Sequence, residues 1–112
     1  MKKNENMPKK YINLQYETFL KRYEVTSKAI LLDVRTPQEY ENEHLANAVN
    51  IDLKSNDFLE EISILDKQKS YFVYCSKGIR SLNVCIVMIQ MGFSKVYNLK
   101  GGLSAQKESI FV

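Results

Sequence analysis

The chain has 112 residues, of which 45% are hydrophobic and 26% charged, the profile of one globular domain large enough to bury a core without staples. Its net charge of +3 owes much to Lys2, Lys3, Lys9 and Lys10 near the start, leaving no basic stripe with interleaved aromatics for nucleic acid. No apolar run is long enough for a membrane span and no apolar signal segment follows the early lysines, so no membrane partner and a cytoplasmic location are expected, while Cys75, Cys85 and His44 are too few for a disulfide framework or a structural metal.

Residues 1–10 are polar and charged and read as a loose lead-in to a single domain over 11–112. Tyr11 to Leu14 predicts a short edge strand. Tyr16, Phe19, Leu20 and Tyr23 then fall on one face of a helix over Gln15 to Tyr23, and that face reads as core. The run from Ala29 to Leu32 predicts a central strand buried on both sides, leading into Asp33-Val34-Arg35. Thr36, Pro37 and Glu39 carry the signature of a capped helix start: a capping side chain, a proline at the first helical position and a carboxylate to complete a capping box. Asp33 and Arg35 lie at the strand end where parallel sheets hold their ligands, which makes them candidates for shaping a site. An internal ion pair or loop-bracing hydrogen bonds is the preferred reading over direct chemistry.

His44 to Ile51 reads as a turn entering another short strand, with His44 better suited to a structural hydrogen bond than to a catalytic dyad. Ser55-Asn56-Asp57 is expected to cap a helix that carries Phe58, Ile62 and Leu65 inward and Glu60 and Glu61 outward. After the stretch described next, Ile79 to Met91 forms a helix that is apolar almost all round. It should be buried between the sheet and other elements, unless an exposed outer stripe marks a partner surface. Cys85 lies about 9 Å along that helix, too far from its start for easy bridging, and reads as a small core residue. Gly92 ends the helix, Lys95 to Leu99 supplies a strand, and Gly101-Gly102 turns into a last short helix. Strands alternating with helices predict an α/β domain with a mainly parallel central sheet flanked by helices in three layers.

The chemistry concentrates between Tyr71 and Ser81. An apolar strand ends on Cys75, passes through Ser76, Lys77 and Gly78, and meets Ile79, Arg80 and Ser81 as a helix begins. Backbone N–H groups of such a loop converge on one point, and the helix dipole adds positive potential there. Lys77 and Arg80 add charge that favours a thiolate, and the same cradle can receive a sulfur, phosphorus or arsenic oxyanion.

In these segments the sequence resembles the rhodanese-like domain family, of the single-domain sulfurtransferase type, over roughly Ile12 to Lys107. The resemblance is carried by Leu31-Leu32-Asp33-Val34-Arg35-Thr36-Pro37-Gln38-Glu39-Tyr40, by His44 to Ile51, by Tyr74 to Ser81, by Met91-Gly92-Phe93, and by Val96 to Gly102. It implies that Cys75 accepts a sulfane sulfur as a persulfide, cradled by the N–H groups of Ser76, Lys77, Gly78, Ile79, Arg80 and Ser81, and passes it to a thiophile. It also implies internal ion-pair and hydrogen-bonding roles for Asp33 and Arg35, with no metal or organic cofactor. The implied partners are a small sulfur-anion donor and a thiol acceptor, or a persulfide-donating or thioredoxin-like protein. Glu43, Ala46-Asn47 and Gln106 depart from the family's usual glycine, proline-glycine and tryptophan.

Phosphatases and arsenate reductases of this fold carry one more residue between cysteine and arginine, which enlarges the cradle. The four-residue spacing between Cys75 and Arg80 therefore resembles the sulfurtransferases. Interaction modules of the family often lack the cysteine that this chain retains.

Overall fold

The computed structural model describes residues 10–110. Apart from Lys10, the expected lead-in lies outside the described residues. Strand β1 (Ile12–Leu14) leads into helix α1 (Tyr16–Val25), β2 (Ala29–Asp33), α2 (Pro37–Asn42), β3 (Val49–Asn50), α3 (Phe58–Ser63), β4 (Ser70–Tyr74), α4 (Ile79–Gln90), β5 (Val96–Leu99) and α5 (Gly102–Ile110). All strand pairings are parallel and the spatial order is β1-β5-β4-β2-β3, so β1 is an edge as its short apolar run suggested.

The sheet is centred on β4, whose five residues are all buried. Side chains alternate across a strand, so neighbours serve opposite layers. Leu32, Tyr71 and Val73 pack with Phe58 and Ile62 of α3 and with Val84 and Met88 of α4. On the other face Leu31, Phe72, Tyr74 and Leu99 pack with Phe19, Leu20 and Tyr23 of α1, with Tyr40 of α2 and with Leu103 of α5. These two clusters make the three layers, and each large apolar side chain they remove from water is worth about 1.5–3 kcal/mol before entropy is counted.

Local chemistry explains where elements begin and end. The Thr36 hydroxyl accepts from Glu39 N and the Glu39 carboxylate accepts from Thr36 N, a complete capping box ahead of α2. Helix α3 departs from expectation: Asp57 makes no side-chain cap, its backbone lying at φ −97°, ψ 8° rather than in the extended conformation of a capping residue, and Ser55 Oγ accepts the Asp57 N–H at 3.1 Å to close a local turn. Helix α4 stops where Gly92 adopts φ +99° and Phe93 N–H bonds back to Met88 O at 3.0 Å, a Schellman ending. Its burial is one-sided rather than complete. Ser81, Val84, Cys85 and Met88 face inward, whereas Ile79 is 68% exposed and Ile86 39%.

Register brings Asp33 of β2 beside Tyr74 of β4, and Val34 N–H extends the ladder to Tyr74 O. The loops after β2, β4 and β5 consequently share the carboxyl edge of the sheet, where open α/β sheets hold their ligands. Among the described residues, no helix is long and apolar enough to cross a membrane.

Candidate active site

Cys75 follows the last residue of β4 and is only 1% exposed, at the floor of a pocket of about 370 Å³ lined by Glu39, Cys75, Ser76, Lys77, Ile79 and Arg80. Its Sγ accepts hydrogen bonds from Gly78 N–H at 3.1 Å and Ser81 N–H at 3.3 Å, and lies 3.3 Å from Ser81 Oγ. The second of these is the third amide of α4, the donor that a serine or aspartate cap usually satisfies. Gly78 has no side chain to offer, so the sulfur occupies the capping position and the helix start points at it.

The loop keeps this shape through backbone packing against the turn after β5. Leu103 N–H donates to Cys75 O at 3.1 Å and Ser104 N–H to Ser76 O at 2.7 Å, so the first turn of α5 ties down the carbonyls flanking the sulfur. Gly78 and Gly102 sit where these segments touch. A Cβ at Gly78 would meet Gly101 N at 2.9 Å, and one at Gly102 would lie 2.4 Å from Ser76 O. Both also have positive φ, so glycine is required twice over. The sequence showed Gly101-Gly102 only as a turn; its close approach to the cysteine loop is a tertiary property.

Glu39 is the site residue that sequence reasoning missed. One face of its carboxylate completes the cap of α2, while Oε1 and Oε2 receive Arg80 Nη1 at 2.8 Å and Nη2 at 3.0 Å, and Oε2 also accepts from Ser76 Oγ at 3.1 Å. The Arg80 guanidinium, with help from Thr36 and Ser76 against partial burial, holds the Glu39 carboxyl well below the usual carboxylate range. Glu39 in turn raises the Arg80 pKa. In the sequence the capping box gave Glu39 a structural role, and the structure adds its contacts with Arg80 and Ser76.

Asp33 and Arg35 do not line this pocket. Arg35 Nε and Nη2 bond the Asp33 carboxylate at 3.0–3.1 Å and 2.7 Å, with both residues buried. Burial opposes the Arg35 charge, but the bonds and charge of Asp33 raise its pKa overall. Arg35 Nη2 also donates to Glu43 O at 2.6 Å, and Asn50 Nδ2 donates to the carbonyls of Asp33 and Arg35 at 2.9 Å each. The pair braces the loop that launches α2 and thereby fixes Glu39. Tyr74 sits beside it, its hydroxyl accepting from Leu45 N–H at 3.0 Å; burial, then Asp33, pushes the Tyr74 pKa far up.

His44 donates from Nδ1 to Tyr40 O at 2.7 Å and stacks on the Tyr40 ring, the structural arrangement preferred for it. Asn47, where glycine is usual, has φ +70°, a conformation asparagine tolerates better than most residues. Lys77 and Ile79 are exposed at the pocket rim. Among the described residues, no group of histidine, cysteine, aspartate and glutamate side chains could hold a metal ion.

Comparison with known proteins places this geometry. A family model described as "Rhodanese-like domain" matches residues 15–109. A thiosulfate sulfurtransferase of Coxiella burnetii is 36% identical over 91 residues, covering 79% of this chain and 82% of that protein. A putative sulfurtransferase of Bacillus subtilis is 36% identical over 84 residues, covering 75% and 79%. Among solved structures, a rhodanese-related protein of Thermoplasma volcanium superposes with a TM-score of 0.74 at 27% identity, covering 88% of this chain and 93% of that one.

Proposed function

The chain belongs to the rhodanese-like domain family, and on that premise we propose that it is a sulfurtransferase working through a persulfide on Cys75. The observation that carries this reading is the convergence of Gly78 N–H, Ser81 N–H and Ser81 Oγ on Sγ at the floor of an open pocket. Donors aimed at a sulfur favour its anion, and the thiolate is the nucleophile of thiol chemistry. The thiolate attacks the outer sulfur of a donor such as thiosulfate or a persulfide, and the donor's S–S bond breaks as a new one forms to Cys75. A second thiophile then takes the carried sulfur and regenerates the thiolate.

Ser76, Lys77, Gly78, Ile79, Arg80 and Ser81 form the substrate-binding loop, with Asp33 and Arg35 supporting it through α2. No cofactor takes part, since both steps exchange sulfur between sulfur atoms. The acceptor is a thiol, free or on a thioredoxin-like protein. Two free cysteines fit a reducing compartment, which supports a cytoplasmic setting.

Turnover tests the reading. Purified protein with a sulfane-sulfur donor and a thiol or cyanide acceptor should transfer sulfur catalytically, and the Cys75→Ser variant should not. A folded wild type inert towards thiosulfate, small persulfides and a persulfidated protein alike would instead assign the chain to the family's interaction modules.

A further inference from the structure

Charges around Cys75 are arranged to cancel. Arg80 would be the natural counter-ion for an incoming anion, yet both of its terminal nitrogens are bound by the Glu39 carboxylate at 2.8 and 3.0 Å. Among the described residues lining the pocket, Lys77 is then the cation without a carboxylate partner, and it stands exposed at the rim. With Cys75 ionised, two cations face two anions. The Gly78 and Ser81 N–H groups are already engaged by Sγ. Ile79, 68% exposed, adds an apolar patch to the rim. A small dianion gains little from such a site, because like charge on the thiolate opposes it and the strongest cation is taken. A donor with an organic body and at most one negative charge at its reacting end meets neither obstacle.

Resting on the sulfur-transfer reading above, we propose that the donor used by this site is an organic persulfide, R–S–SH, in preference to the thiosulfate dianion. The Cys75 thiolate attacks the outer sulfur, and the new S–S bond forms as the donor's S–S bond breaks. The leaving R–S⁻ keeps the electron pair of the broken bond, and the proton stays on the transferred sulfur as Cys75–S–SH. Sulfur is exchanged between equivalents, so no external oxidant or reductant is consumed. The organic group R rests on Ile79 at a pocket of about 370 Å³, within the range of small-ligand sites.

The test measures single-turnover loading of Cys75 by intact-protein mass, with glutathione persulfide and with thiosulfate at matched concentrations. The second-order rate constant should be at least about tenfold higher for the persulfide, a difference of about 1.4 kcal/mol. Glu39→Gln frees the Arg80 charge and should lower that preference by at least about threefold. Because a loosened loop would slow both donors together, the ratio isolates the charge effect. Should Glu39→Gln not fold, salt gives the same information on wild type. Thiosulfate loading should change by less than about twofold between low and high ionic strength, since there is little net attraction to screen.

Equal or faster loading by thiosulfate overturns the proposal, as does a ratio that Glu39→Gln leaves unmoved, or a steep loss of thiosulfate loading with salt. Failure of both donors to add sulfur to folded wild type would overturn the sulfurtransferase reading itself, a result distinct from a reversed preference.

Discussion

Cys75 and Cys85 are both free, both buried at 1% and 0% exposure, and ten residues apart on one strand–loop–helix unit. Their surroundings differ in kind. Cys85 lies on the inner face of α4 beside Val84 and Met88, and burial, with the charge of Cys75 adding to it, pushes its thiol far up from the ordinary range. Cys75 meets two backbone donors and a hydroxyl, and opens on a pocket. Burial therefore does not separate the thiol proposed to react from the one packed in the core. What separates them is the polarity of the first few atoms around sulfur and a path to solvent.

Substitutions on either side of that contrast test it. The largest effect is expected of Cys75→Ala, which removes the proposed sulfur carrier and should lower transfer at least about a thousandfold. Its melting temperature should stay within a few degrees of wild type, because the turn after β5 still holds the loop. Next comes Arg35→Ala, which leaves the buried Asp33 side chain without its ion-pair partner and should cost about 3–5 kcal/mol in denaturant unfolding. That loss would show that the frame around Cys75 is stabilised from outside the pocket. Gly102→Ala places a methyl group against Ser76 O at a positive φ and should destabilise by roughly 1–3 kcal/mol while slowing transfer.

The smallest effect belongs to Cys85→Ala, a small cavity costing about 1 kcal/mol, with transfer within about twofold of wild type. Labelling extends the comparison to pH. A thiol whose pKa is raised by folding stays protonated through the range where exposed thiols ionise. Iodoacetamide at pH 8 to 9 should therefore modify Cys75 and spare Cys85 until denaturant is added. Modification of Cys85 first in folded protein would invert the assignment.

Much of the frame could be read from sequence because its causes are local. The capping box at Thr36 and Glu39 spans four residues, Asp33 and Arg35 are two apart, and the Cys75 loop sits at a strand-to-helix switch. The three-layer parallel sheet followed from alternating apolar runs and helical faces. What stayed hidden depends on distant parts meeting. Glu39 reaches Ser76 and Arg80 across 37 and 41 residues of chain, and a charge visible in sequence does not announce such a partner. The contact of Gly101-Gly102 with the cysteine loop is made by backbone atoms, so no side-chain pattern records it. For α4, an apolar surface nearly all round could not say which stripe the sheet would choose. Packing of Val84, Cys85 and Met88 decided that, and left Ile79 at the rim.

Cys75, and not Cys85, is the proposed carrier of the sulfur. Intact-protein mass spectrometry after brief exposure to a persulfide or thiosulfate donor tests this most directly, with wild type compared against Cys75→Ser. Wild type should gain the mass of one sulfur atom, about 32 Da, lose it on addition of a thiol, and the variant should gain nothing. An equal gain on Cys75→Ser, mapped to Cys85, would contradict the assignment.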